Sequence, residues 1–396
     1  MSLGVISLKR GEERRLVAGH PWVFSNEVDT DRTPLGAFAP GALATVQSDR
    51  GRFLGHAYVN PHALICARIL SRDADAPIDE PLLARRLEAA LALRRELYRE
   101  PYYRLVFGES DGLPGLVLDR YGDLVVGQIS TAGMEALKSL VESVVRSIVT
   151  PAGMYWKSDS AARALEGLAP FAGAAFGETP EEVEVREAGA TFRAPLQAGQ
   201  KTGWFYDQAA NRARLLRYLR PGARVLDVFS YAGAWAIAAL KGGAGAATCI
   251  DSSQPALERA GRNAEDNGLE LIPLKGDAFD VLAGLGQRGA RFDAIILDPP
   301  AFIKRKKDIP KGQAAYRKLN QLGIGLLAPE GLLVSCSCSY HLSEAELLAA
   351  VQAAARHSGR FLQVLEIAGQ SPDHPIHPAI PETRYLKALF CRAVAG

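Results

Sequence analysis

The sequence predicts an α/β fold for the C-terminal half, a parallel sheet with helices on both faces, preceded by a small β domain and a central α/β domain. Three observations carry this. From Arg224 onward, strand-like apolar runs alternate with helical spacings. Residues 4–70 are short apolar runs broken by turn signals, the pattern of a small, mostly β unit. Between these regions, Met134, Leu137, Leu140, Val141, Val144, Val145 and Ile148 fall on one helical stripe, which predicts a core-facing helix over 134–148.

The 396 residues should divide into two or three compact units, since single cores stop growing near ~250–300 residues. We place the boundaries at 1–72, 73–187 and 188–396. In the first domain, Leu43–Gln47 and Phe53–Val59 read as strands around the turn Ser48-Asp49-Arg50-Gly51. Pro77 to Pro81 reads as a linker, after which Leu83–Leu97 has helical spacing. Two hairpins follow: Leu116–Leu118 with Leu124–Ile129 about a turn at 119–123, and Glu181–Glu187 with Ala190–Arg193 about Ala188-Gly189. The strand–helix alternation then runs through strands at 224–229, 247–250, 292–297 and 332–336, with helices ending near Leu240 and spanning Pro255–Asn267.

Composition bounds the function. With 48% apolar and 23% charged residues the chain reads as an ordinary soluble globular protein. Its 46 basic and 44 acidic residues leave a net charge of +2, so any nucleic-acid contact must come from local patches. The five cysteines, Cys66, Cys249, Cys336, Cys338 and Cys391, are odd in number and scattered, which points to a reducing cytoplasm. No run reaches the ~18–20 apolar residues that span a bilayer, so a membrane location is not expected.

The chemistry concentrates at strand ends. Val225 to Gly233 is a buried-type strand running into a small-residue turn, but Gly233 is its one glycine, which disfavours a pyrophosphate ligand. Asp251 ends the next strand, where a carboxylate can accept from both hydroxyls of a ribose. Asp277, followed by Ala278 and Phe279, suits an adenine amino group and ring face. An adenosine without phosphates fits these features. Asp298-Pro299-Pro300 ends a fourth apolar strand in a stiff turn, from which Asp298 can hydrogen-bond a base edge.

The turn after Asp227, Asp251 with the helix through Asn263 and Asn267-Gly268, Asp277, and Asp298-Pro299-Pro300 together resemble the successive motifs of class I methyltransferases. That resemblance implies a Rossmann-like fold and S-adenosyl-L-methionine as cofactor. The upstream run Gln200 to Gln208, with Arg212, resembles the pre-sheet cofactor motif of one methyltransferase subgroup. The expected cofactor-binding set is Lys201, Thr202, Gly203, Phe205, Asp207, Gln208, Phe229, Ser230, Gly233, Asp251, Ser252, Asp277, Ala278 and Asp298.

At the end of the strand after Pro329-Glu330-Gly331 lies Val334-Ser335-Cys336-Ser337-Cys338-Ser339. C5 of a pyrimidine is a poor nucleophile until a thiolate adds at C6, so its methylation needs a positioned cysteine, whereas amine methylation needs none. Ser335-Cys336-Ser337 resembles the nucleophile motif of RNA cytosine-C5 methyltransferases, which implies Cys336 as nucleophile and Asp298 as its catalytic partner; Cys338 is expected to pack. Cys336, Cys338 and His341 are too few and wrongly spaced for structural zinc, so no metal is expected.

Over nearly its whole length the chain resembles the bacterial large-subunit (23S) ribosomal RNA cytosine-C5 methyltransferases with an N-terminal PUA domain. The matching residues are His20 to Ser25, Gly108 to Gly115, Lys201-Thr202-Gly203, Phe229-Ser230-Tyr231, Asp373-His374-Pro375 and Tyr385-Leu386-Lys387. The resemblance implies a β-barrel-like first domain and ribosomal RNA as partner, and leaves a homodimer open. One departure matters: Pro299-Pro300-Ala301-Phe302 lacks the second cysteine that many relatives use for product release, so the base that removes the C5 proton is unassigned. Lys304, Arg305, Lys306 and Lys307, and Arg14, Arg15 and His20, are the expected RNA contacts. Two other readings stay open: methylation of a purine amine or ring nitrogen, and a non-catalytic RNA-binding assembly factor.

Overall fold

The computed structural model describes residues 3–196 and 202–394. The chain forms two compact units, one of Met1–Val183, Pro195–Trp204 and Asp373–Thr383, the other of Glu184–Ala194, Phe205–Pro372 and Arg384–Gly396.

The first unit contains two five-stranded sheets. One runs, in spatial order, through Gly4–Ser7, Leu43–Gln47, Phe53–Val59, Ile65–Ser71 and Trp22–Phe24. Its core holds Ile6, Leu8, Val23, Val46, Leu54 and Ile69. The strands at 43–47 and 53–59 have the expected bounds. The other sheet takes Phe171–Gly177, Gly153–Ser158, Leu124–Ile129, Leu116–Tyr121 and Tyr102–Phe107 in that order.

Three local expectations change here. Pro81 is not linker: it lies in the first turn of the helix Glu80–Leu97, where a missing N–H costs nothing, and Asp79 caps that helix by accepting from the Leu82 N–H at 3.0 Å. The hairpin turn is tighter than 119–123, because its strands continue to Tyr121 and resume at Leu124. Gly122, at φ 63°, supplies the left-handed conformation that a two-residue hairpin loop requires. The helix over 134–148 is segmented into Ala132–Ala136, Lys138–Val144 and a π-turn at Val145–Val149, yet its apolar stripe is the one that enters the core.

Three buried arginines in this unit face carboxylates. Arg94 grips Asp111 at 2.6 and 2.7 Å, Arg104 grips Asp119 at 2.6 and 3.0 Å, and Arg68 meets Glu166 at 2.9 Å.

In the second unit a seven-stranded sheet is built from β1 (Arg224–Val228), β2 (Ala246–Asp251), β3 (Ile272–Lys275), β4 (Phe292–Leu297), β5 (Leu327–Ser337), β6 (Phe361–Ala368) and β7 (Lys387–Val394). The order is β3-β2-β1-β4-β5-β7-β6. The first five strands are parallel, but β7 is antiparallel to both β5 and β6, so the expected parallel sheet is mixed. The sequence hides this addition because β6, at the sheet edge, is largely exposed and lacks a clean alternation. The helices are α1 (Ala234–Lys241), α2 (Gln254–Asp266), α3 (Ala278–Gln287), α4 (Ile309–Gly325) and α5 (Glu344–His357). β5 begins five residues before the expected Leu332; Glu330, at φ 60°, and a register shift against β4 mark the irregularity that masks its start. Among the described residues no helix is long and apolar enough to cross a membrane.

Candidate active site

Parallel register sets the geometry of the site. Val228 pairs with Ile250 and with Leu297, and Leu297 pairs with Ser335. The residues that follow, Phe229, Asp251, Asp298 and Cys336, therefore reach the same carboxyl edge of the sheet, where ligands of open α/β folds bind.

The β1–α1 turn is backbone-strained. Phe229 and Tyr231 have φ of 66° and 48°, unfavourable for side chains with a Cβ, and Gly233 has φ 77°. A Cβ at Gly233 would lie 3.0 Å from that of Ala260, so glycine here also permits close packing of the turn on α2. Asp251 holds the turn from the neighbouring strand: its carboxylate accepts from the Tyr231 N–H at 3.0 Å and the Ser253 N–H at 2.9 Å. Ser252 is exposed beside it. Ser230 is buried and faces the Ile250 carbonyl. Asp277 is exposed and caps α3 by accepting from the Phe279 N–H at 2.9 Å, with Ala278 buried behind it.

Asp298 sits between neutral donors, accepting from Gln208 Nε2 at 2.9 Å and Trp235 Nε1 at 3.0 Å. Burial pushes its carboxyl up to about 6, partly offset by the Trp235 bond. Gln208 is fixed in turn by Asn211, and Asp207 accepts from the Tyr385 hydroxyl at 2.6 Å. Phe205 packs edge-on against Tyr231 with centroids 5.4 Å apart, and its carbonyl accepts from the buried Arg212, which is also paired with Glu187. Thr202 and Gly203 belong to the first unit, where the Thr202 hydroxyl donates to Asp119 and Gly203 lies against the Pro195 carbonyl. Lys201 lies outside the described residues.

The two cysteines of the motif differ in their surroundings. Cys336, the last but one residue of β5, is 1% exposed, packed in the core that includes Val334, Ala388 and Phe390 with Asp298 and Gln208 beside it, and burial drives its thiol well above the ordinary range. Such a thiol is a poor nucleophile. The strand ends at Ser337, and Cys338, expected only to pack, is the partly exposed residue just beyond it, with Sγ 3.8 Å from the Pro299 carbonyl. Its flanks are fixed. Ser337 Oγ donates to the Tyr316 hydroxyl at 2.9 Å, that hydroxyl lies 2.9 Å from Ser339 Oγ, and Ser339 Oγ accepts from the Ile303 N–H at 3.1 Å. The Asp-Pro-Pro loop and the Cys338 loop are thereby tied together.

Sequence reasoning passed over Asp227. It is fully buried in β1, accepts from the Ala236 N–H at 3.2 Å through Oδ2, and Oδ1 has no hydrogen-bond partner. Burial pushes its carboxyl up to about 8. The available signal was an acid inside the apolar run Val225-Leu226-Asp227-Val228. The donor Trp235 was also missed, since it reads as one more apolar residue of α1.

Of the expected RNA contacts, Lys304, Arg305, Lys306, Lys307 and Arg14 are exposed. Arg15 and His20 are used internally. Arg15 pairs with Glu27 at 2.6 and 2.8 Å and lies over the Phe24 ring, while buried His20 accepts from the Trp22 N–H at 3.1 Å.

Residues 6–72 match the model of a PUA-like domain, and residues 156–392 match that of an S-adenosylmethionine-dependent methyltransferase. The chain belongs to this methyltransferase family. Among similar proteins, the Ribosomal RNA large subunit methyltransferase I of Aeromonas salmonicida (strain A449) is 37% identical over 98% of this chain and 99% of its own. The protein of that name from Salmonella arizonae is 35% identical over 98% and 97%. Two solved structures share the fold of the methyltransferase. SMU.776, a methyltransferase complexed with SAH, superposes with a TM-score of 0.83 at 21% identity, covering 98% of this chain and 100% of that one. A SAM-dependent methyltransferase from Streptococcus mutans gives 0.81 at 22% identity, covering 98% and 100%. The methyltransferase accordingly uses S-adenosylmethionine, and its fold is Rossmann-like with an N-terminal PUA-like domain.

Proposed function

We propose that the chain methylates cytosine C5 in large-subunit ribosomal RNA through a covalent adduct at C6, with Cys338 rather than Cys336 as nucleophile. The RNA substrate follows the names of the relatives, which match this chain almost end to end. The observation that carries the chemistry is the partly exposed thiol of Cys338, held at the carboxyl edge of the sheet beside Pro299.

The Cys338 thiolate bonds to C6, and the C5=C6 electron pair moves onto C5. When bound, S-adenosylmethionine supplies the electrophilic methyl that C5 takes up. Loss of the C5 proton to a base returns the pair to the C5=C6 bond and expels the thiolate. Asp298 accepts from the exocyclic amine of the target base, and Gln208 and Trp235 hold its carboxylate for that contact. Asp251 is the proposed ribose acceptor, because each of its oxygens keeps a second lone pair after binding one backbone N–H. Phe205, Phe229, Ser252, Asp277 and Ala278 stay in the proposed cofactor set, with Asp207, Gln208, Ser230 and Gly233 shaping it from behind. The exposed run Lys304 to Lys307 in the second unit and, separately, Arg14 in the first are proposed phosphate contacts.

The test is methyl transfer from labelled cofactor to ribosomal RNA by Cys338→Ala and Cys336→Ala, followed by mass spectrometry of the nucleoside. Cys338→Ala should lose at least ~10³-fold in rate while still binding cofactor by calorimetry; Cys336→Ala should remain active. Full activity in Cys338→Ala, or a product methylated on nitrogen, overturns the reading.

A further inference from the structure

We propose that Lys387 is a positioning residue for Cys338, its ammonium group fixing the loop around the thiol and supplying the positive charge that favours the thiolate. The catalytic consequence rests on the reading of Cys338 as nucleophile; the effect on the thiol itself does not.

The β5–β7 ladder places Lys387 opposite Ser337, the residue preceding Cys338. From there Nζ reaches past the strand end and donates to the Ser339 carbonyl at 2.6 Å and the Tyr385 carbonyl at 2.9 Å. One side chain thus spans the residues on both sides of Cys338. Two of its three donors are used, leaving a third. The residue is 5% exposed. An ammonium taken this far from water is costly without a counter-charge, yet among the described residues no carboxylate lies within ion-pair distance of it.

The ionisable groups facing Lys387 are Cys338, Arg384, Glu346 and Glu344, and Cys338 acts on it more strongly than the other three. Cys338 also acts on the Tyr316 phenol, held neutral by burial, and on the sealed Cys336 thiol. Of the three groups it acts on, Lys387 is the cation. Burial pushes it down to about 8, so at neutral pH it is still mainly protonated. When Cys338 ionises, the S–H proton leaves to water and the ammonium keeps its three, so the thiolate is the counter-charge that the buried ammonium otherwise lacks. A lysine in such a place also makes the pair titrate as a unit, with loss of the ammonium proton above pH 8 weakening the hold on the thiolate.

The experiment is iodoacetamide alkylation of Cys338 in the full chain, read by peptide mass from pH 5 to 10, for the wild type, Lys387→Gln, Lys387→Met and Lys387→Arg. The wild-type thiol should titrate below the ~8.5 of a free cysteine. Lys387→Gln, which can still donate to the Ser339 carbonyl, should raise the midpoint by about one unit and slow alkylation at pH 7 about 10-fold. Lys387→Met should do at least as much, and Lys387→Arg should restore most of the rate. A wild-type midpoint at or above that of free cysteine overturns the proposal, whatever the variants do. So does an unchanged midpoint in a folded Lys387→Gln protein. Methyl transfer surviving in Cys338→Ala would remove the nucleophile assignment and leave the alkylation result standing.

Discussion

In the first unit Arg94, Arg104 and Arg68 are buried against Asp111, Asp119 and Glu166, charge facing charge. At the sheet edge of the second, Asp227 is buried and Asp298 half-buried, each with hydrogen bonds from neutral donors only: a backbone N–H for one, an amide and an indole for the other. The first arrangement sets each carboxylate against a guanidinium, so the pair acts as a structural rivet. The second leaves the carboxyls near 8 and near 6, poised to change protonation state close to neutrality. Groups poised in this way cluster where chemistry is done.

The largest effect should come from breaking a rivet. Arg94→Met would leave the Asp111 carboxylate, 6% exposed, without its cation, and would strand the Arg104 and Asp373 carbonyls that Arg94 also serves. We expect a loss of about 3–5 kcal/mol in urea unfolding, because one charge of a buried pair remains uncompensated. A loss under about 1 kcal/mol would mean that Asp111 finds water, and the comparison between the units would fail on its structural side.

Asp298→Asn should act on rate more than on stability. One of the two donors, Gln208 or Trp235, would face an NH₂ instead of an oxygen, a change of about 1–3 kcal/mol. Methyl transfer should fall about 10²-fold, since the ionised acceptor is gone. The wild-type rate should climb with pH through about 6 as the carboxylate forms, and initial rates from pH 5 to 8 should show no such acid limb in the variant. An identical limb in both proteins would assign it to another group.

The contrast between the units was only half legible in the sequence. Strand-end acids followed by turns announce themselves by position, so Asp251, Asp277 and Asp298 were found. The β1, β2, β4 and β5 runs were legible because buried parallel strands are nearly continuous apolar text. Cys336 was placed above Cys338 on the resemblance of Ser335-Cys336-Ser337 alone, since both lie on the same serine-cysteine alternation and which one leaves the sheet depends on where the ladder with β7 stops. That strand was itself unread. Arg15 and His20 looked like free basic groups because the Glu27 carboxylate that accepts from Arg15, and the rings of Phe24 and Trp22 that the two meet, become partners only through folding. Asp227 was passed over for a related reason: its isolation is a property of the packed interior, not of its neighbours in sequence.

Asp227 also gives the smallest and most specific prediction, on the pH dependence of stability. Its carboxyl is raised from the ordinary ~3.9 to about 8, so the unfolded chain ionises first and the folded chain holds the proton. Between those values the folded state binds more protons, and stability must fall as pH rises. Asp298 contributes in the same direction, but only up to about 6, so the window from 6.5 to 8 is dominated by Asp227, with the opposing effect of Lys387 entering near its upper end. Across that window the wild type should lose on the order of 2 kcal/mol from this group. Asp227→Asn keeps an oxygen for the Ala236 N–H and has no proton to lose, so its urea midpoint should stay nearly flat over the same range. Equal slopes in the two proteins would mean that Asp227 is already ionised in the fold, and the sheet edge would then hold its buried charge no differently from the ion pairs of the first unit.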